Sequence, residues 1–187
     1  ALSMQLGHRL SEDLDFCKWK KSKNDREEVA WYSIEKELNK IGTIQSKDLI
    51  DFNQANFVVN DVKLSFYANN LSKQPVGSII LPYRKNIRLM DIKTIGVLKL
   101  EVVLRRSAFR DFYDLYAILK EGIQFSELIE GALKYSGHKL KTKDVLAMLS
   151  NGERFTKDNG FENLDPRYQI TTSQIQEYMI QEIKRYN

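Results

Sequence analysis

The sequence predicts an α+β fold, and three observations carry that prediction. Apolar and polar residues alternate in short runs up to Met90, the period of half-buried strands. Asn60-Asp61 splits two such runs, Phe57-Val-Val and Val62-Lys-Leu-Ser-Phe-Tyr, as a hairpin turn would. From Asp91 onward apolar residues recur at helical spacing to the end of the chain. Strands first and helices later indicate α+β rather than an alternating parallel layout. With 187 residues, 42% of them apolar and 29% charged, the chain has the composition of a globular protein with its own core.

Each element has a local reason. Ala1-Leu-Ser-Met-Gln-Leu reads as the end of a helix stopped at Gly7. A chain that opens inside a helix leads to the expectation of further sequence upstream. Asp13 to Phe16 reads as a strand with Leu14 and Phe16 facing the core and both aspartates facing outward. Lys18 to Asn24 is a basic loop containing Trp19; Asn24 is a candidate cap for a helix from Asp25 that presents Val29, Ile34 and Leu38 and stops at Gly42. Thr43 to Phe52 is a mixed run. In the second hairpin arm Val62, Leu64 and Phe66 share one face, with Lys63, Ser65 and Tyr67 on the other. Residues 69–77 read as a loop, and Ser78-Ile-Ile-Leu and Ile87-Arg-Leu-Met as short strands. Asp91 is placed to cap a helix from Ile92 to Arg105, followed by one from Ala108 to Lys120. Ser126 and Thr142 are candidate caps for helices reaching Lys134 and Ser150, 151–168 reads as a long loop, and Thr172 or Ser173 starts a last helix to Tyr186.

Chemistry concentrates in a few places. Asp13 and Asp15 lie two apart on a strand, so both carboxylates share a face; a hard cation between them would relieve their repulsion, while two solvated acids on an edge strand would look the same in sequence. Lys99 shares a helical stripe with Ile92, Ile95, Val102 and Val103, so its ammonium either meets an anion or reaches out to water. Asp111 and Asp114 sit three apart above Ile118, which fits contacts to a metal or to basic residues, and equally the preference of a helix N-terminus for acids. Lys18, Trp19, Lys20, Lys21 and Lys23 form the densest basic cluster, of a kind that suits a nucleic-acid backbone with stacking, or simply a solvated loop. His8 and His138 lack metal-ligand spacing, and Cys17 lacks a base partner and reads as a bystander. A single cysteine excludes an internal disulfide framework and points to a cytoplasmic protein. A net charge of +4 permits an anionic partner without demanding one, and no stretch suits a bilayer.

Together these residues resemble one family. The run from Ala1 to Phe16 resembles the segment that follows a Gly-Gly-Thr in the AbiEii/AbiGii abortive-infection toxins, a branch of the nucleotidyltransferase superfamily. Leu98-Lys-Leu, then Arg106, then Arg110-Asp-Phe-Tyr-Asp-Leu-Tyr resemble that family's downstream lysine and R-D-x-x-D-L motifs, in the same order. The resemblance implies a polymerase-β-like mixed sheet with flanking helices, a nucleotidyltransferase-like core over residues 1–120, and a helical region at 121–187 packed on it. It implies that Asp13 and Asp15 bind Mg²⁺ that also holds an NTP, that Arg9 and Ser11 lie near its phosphates, and that Lys99 contacts the nucleotide with Asp111 beside it and Asp114 in support. The implied reaction is NMP transfer from an NTP to an acceptor hydroxyl, with tRNA ends among the family's acceptors, in a toxin held in check by an antitoxin. Two positions depart from the pattern: the glycine loop would precede Ala1, and Ser65 stands where many relatives carry an acid. Those departures keep a second reading open, a nucleotidyltransferase fold retained as a nucleotide- or protein-binding module.

Overall fold

A computed structural model describes residues 1–19, 28–69, 79–136, 140–155 and 158–186. It is a mixed α/β structure, as predicted, whose chain divides into two compact units: Ser11–Gln74, and Ala1–Leu10 together with Pro75–Asn187. The residue-120 boundary drawn from the sequence falls inside the second of these.

Among its described residues the Ser11–Gln74 unit is a sheet with one helix. Strands β1 (Asp13–Trp19), β2 (Ile44–Asp51), β3 (Gln54–Val59) and β4 (Val62–Asn69) pair in the order β1-β4-β3-β2, with β1 parallel to β4 and the other pairs antiparallel. The β3–β4 turn has both central residues, Asn60 and Asp61, at positive φ (48° and 65°), the geometry of a tight hairpin that Asn and Asp tolerate. Asn60 Oδ1 also accepts the Thr43 N–H at 3.1 Å. The core of this unit is Ala55, Phe57, Val59, Leu64 and Ala68 with Val29 and Leu38. Phe16 stacks on Phe66 with ring centroids 5.1 Å apart, and Ile34 packs on the same cluster.

Several expectations for this unit are corrected. Helix α2 (Trp31–Leu38) begins later than Asp25; Glu28 to Ala30 are not helical, and the Asn24 cap lies outside the described residues. The Val29 N–H instead donates to the Phe52 carbonyl at 2.8 Å. The mixed run is strand β2, and Asn69 belongs to β4 rather than to a loop. Leu14 and Val62, expected to face the core, are instead 39% and 40% exposed at the starts of their strands.

The other unit is mostly helical. Helix α1 (Leu2–Leu6) ends at Gly7 in the left-handed conformation, whose N–H donates to Ser3 O. Strands β5 (Ile80–Arg84) and β6 (Ile87–Met90) form a two-stranded hairpin, starting two residues later than Ser78. Then come α3 (Ile92–Arg105), α4 (Phe109–Lys120), α5 (Phe125–Tyr135), α6 (Thr142–Ser150) and α7 (Thr172–Tyr186). Asp91 caps α3 as predicted, accepting the Thr94 N–H at 3.1 Å. Ser126 and Thr142 do not cap: each lies inside its helix, and Gln124 and Lys141 hold the cap positions. The 151–168 segment contains two short 3-10 turns, Gly152–Arg154 and Phe161–Leu164, and it buries Phe155, Phe161 and Leu164. Phe155 stacks on Phe112 at 3.7 Å between centroids, so an apparent loop supplies core. One cluster runs through α3 to α7 and includes Leu100, Val103, Phe112, Ile118, Leu128, Ile129, Ile175 and Met179. Gly131 of α5 permits close packing on α3, since a Cβ there would lie 2.5 Å from Val97 Cγ2.

Candidate functional site

The carboxylates of the sheet unit stand on β1. Strand pairing sets Asp13 beside Lys63 and Asp15 beside Ser65 on β4, while Leu14 and Phe16 lie beside Leu64 and Phe66 on the other face. Asp13 is half-buried and Asp15 exposed. No cation among the described residues forms an ion pair with either. The Ser11 hydroxyl donates to the Asp13 carbonyl at 3.1 Å, which fixes the approach to the strand. Ser65 is 3% exposed and is also flanked by Asn56 of β3, so a small buried hydroxyl stands beside Asp15. Among the described residues no group of three or more His, Cys, Asp or Glu side chains could hold a metal. Two same-face carboxylates are nevertheless a fitting donor set for Mg²⁺, which commonly takes one or two carboxylates and completes its shell with water and substrate phosphates. Asn69 donates to Cys17 Sγ at 3.2 Å, and partial burial pushes the thiol up, against thiolate chemistry. Lys18 is exposed, whereas Lys20, Lys21 and Lys23 lie outside the described residues, as does His138.

The acids of the helical unit are in the opposite condition. Asp111 and Asp114 are 0% and 1% exposed, so helix-dipole preference at a solvated N-terminus does not describe them. Lys99 of α3 lies between them, its ammonium 2.7 Å from Asp111 Oδ1 and 2.7 Å from Asp114 Oδ2. The lysine on the apolar stripe meets anions rather than water. Arg106 grips Asp111 with two nitrogens at 2.7 and 3.1 Å, and Arg9 grips Asp114 with two at 2.7 and 2.9 Å. His8 Nε2 lies 2.8 Å from Asp114 Oδ1 and, against an ionised carboxylate, must be the donor. Burial pushes the Asp114 carboxyl up, but the His8 hydrogen bond, the Lys99 charge and the Arg9 guanidinium outweigh it and hold it well below the usual carboxylate range.

The scaffold explains why these groups meet. Asp111 and Asp114 share a face of α4, and Lys99 faces them from α3. The Tyr113 hydroxyl donates to the His8 carbonyl at 3.0 Å and accepts the Tyr168 N–H at 2.9 Å, while Arg167 N–H donates to the same His8 carbonyl at 2.8 Å. These bonds fasten His8 and Arg9 beside α4. Sequence reasoning set His8 aside for want of metal-ligand spacing and did not anticipate Asp158, which Arg110 grips with its Nε and with Nη2 at 2.8 Å. The Arg110 ion pair holds Asp158 below the usual carboxylate range. The signal for His8 was its place directly before Arg9; the signal for Asp158 was absent, since the segment read as loop.

A lysine held between two buried acids, with an arginine outside each, is a preorganised cationic cluster rather than a metal site. The ammonium donates to Asp111 Oδ1 and forms an ion pair with Asp114 Oδ2; with three donors in all, it keeps donor capacity for a ligand. No helix among the described residues is long and apolar enough to cross a membrane. An uncharacterized protein of Aquifex aeolicus (strain VF5) is 25% identical over 193 aligned positions, covering 100% of this chain and 84% of that one. No solved structure matches the chain. The family model described as nucleotidyl transferase AbiEii toxin, type IV toxin–antitoxin system, matches residues 1–181, and the chain belongs to that family.

Proposed function

We propose that the chain is a Mg²⁺-dependent nucleotidyltransferase of the cytoplasm that moves an NMP from an NTP to an acceptor hydroxyl, with tRNA as an acceptor, as the toxic partner of a cognate antitoxin. The observation that carries this reading is the contrast in ion pairing: Asp13 and Asp15 have no cation partner among the described residues, while every other acid of the motif set is neutralised. Asp13 and Asp15 would hold Mg²⁺, which supplies charge neutralisation on the triphosphate and at the leaving oxygen. Ser11 fixes the backbone at the entry to that strand through its bond to Asp13. Lys99 would offer its remaining donor to the nucleotide, with Asp111 and Asp114 orienting it. Arg9 is committed to Asp114, so its contribution near the phosphates is to position that acid. The acceptor oxygen forms the new bond to the α-phosphorus as the bond to pyrophosphate breaks. Positioning and charge complementarity carry the rate.

The test is label transfer from each of the four α-labelled NTPs to total tRNA with Mg²⁺. Transfer that Asp13→Ala and Asp15→Ala each abolish is the expected outcome; transfer unchanged by both would remove the reading. Ser65 supports a second reading, a binding module without transfer. Calorimetry separates the two: tight NTP binding that persists in Asp15→Ala, with no transfer in the parent, selects the module.

A further inference from the structure

We propose that the β5–β6 hairpin is a docking site for the phosphate backbone of a nucleic-acid strand. Residues 79–90 contain Arg84, Lys85 and Arg88 and no acid. All three cations are exposed, and none forms an ion pair with a described residue. Ile79, Leu81, Tyr83 and Ile87 are exposed beside them, and the Arg84 guanidinium lies 5.6 Å from the Tyr83 ring centre. Several other exposed cations of this unit sit beside acids, as in Lys93–Glu127, Arg105–Glu101 and Arg185–Glu182. The hairpin gathers three cations that have no ion-pair partner among the described residues around an aromatic side chain.

Charge complementarity selects the occupant. Unpaired cations around an aromatic side chain suit phosphates with a base stacked between them. A partner protein strand is the poorer fit, because Pro82 and the charges beside it are features that guard an exposed strand pair against added strands. The root of the hairpin is rigid, which lowers the ordering cost of binding. Asp91 accepts the Ile79 N–H at 3.0 Å while capping α3, its own N–H donates to Ile79 O at 3.0 Å, and Gln5 donates to Met90 O at 2.8 Å. The inference deepens the transfer reading by placing a nucleic-acid acceptor, and it rests on that reading for its purpose though not for the binding itself.

The experiment is fluorescence anisotropy with a short labelled RNA and a DNA of the same sequence, across a salt series, on the full chain. The triple charge reversal R84E/K85E/R88E weakens binding at least about tenfold and lowers the log–log salt slope by roughly 2 to 3. Tyr83→Ala weakens binding about tenfold through lost stacking, and Lys40→Glu on the sheet unit changes neither value. The RNA and DNA arms decide which strand is preferred. Equal affinity of parent and triple variant for both strands overturns the proposal. So does binding to phosphatidylserine vesicles without binding to oligonucleotides, or a triple variant that self-associates while its monomer keeps full affinity. Label transfer is scored separately, so a parent that binds but does not transfer overturns the enzymatic reading and leaves this one standing.

Discussion

Asp13 and Asp15 on β1, and Asp111 and Asp114 on α4, are the same residue type at nearly the same spacing, and their surroundings are opposite. The strand acids have no cation partner among the described residues and are half-buried or exposed. The helix acids are buried and bound by Lys99, Arg106, Arg9 and His8. A buried carboxylate must be neutralised where it stands, so the helix pair spends its charge internally and stabilises a fixed lysine. A carboxylate that folding leaves unpaired remains available to an incoming cation. On the proposed reading the pairs would divide the work, one holding structure and one remaining open for a cation.

The sharpest way to break that division is to swap the effects. Asp15→Ala should lower transfer by about a thousandfold, since ion-borne charge stabilisation is worth several kcal/mol, while unfolding in urea shifts by less than about 0.5 kcal/mol, as at other surface sites. Asp114→Ala should act first on stability, costing about 3–5 kcal/mol in the helical unit because Lys99 and Arg9 lose a buried partner. Helical circular dichroism during denaturation checks it. A smaller effect distinguishes charge from packing. The Asp114 carboxyl is depressed in the folded state, so its contribution is complete above the ordinary aspartate pKa of about 3.9 and is lost as pH falls below it. The parent should lose stability steeply below about pH 4, and Asp114→Asn should start lower and show a flatter acid limb. Smaller still, Gly131→Ala should cost about 1–3 kcal/mol by overpacking against Val97, with transfer per folded molecule unchanged.

Legibility followed the range of the rule involved. The Asn60-Asp61 turn and the Asp91 cap depend on one to four neighbouring residues, and both stand as predicted. Lys99 was open between two readings because its partners lie on the next helix, and only packing α4 against α3 decides between an anion and water. His8 was set aside because its meaning depends on Asp114, far along the chain. Ser126 and Thr142 misled for a local reason: a hydroxyl near a helix start is as compatible with the first turn as with the cap. Phe155, Phe161 and Leu164 were hidden inside a polar, glycine-containing run whose burial only the bundle reveals.

The bonds that fasten His8 to Tyr113 and Arg167, with Leu10 N–H on Leu164 O, make the helical unit discontinuous in sequence. Residues 1–10 precede the sheet unit in the chain, while their partners Tyr113, Asp114, Leu164 and Arg167 all follow it. The sheet unit is thus an insertion that can fold on the nascent chain while the N-terminal segment waits. Closing so long an insertion costs entropy that grows only logarithmically with its length. The Arg9–Asp114 clamp accordingly waits for residues on the far side of that insertion, so a chain truncated after Gln74 would carry the strand acids but neither Lys99 nor the acids that hold it.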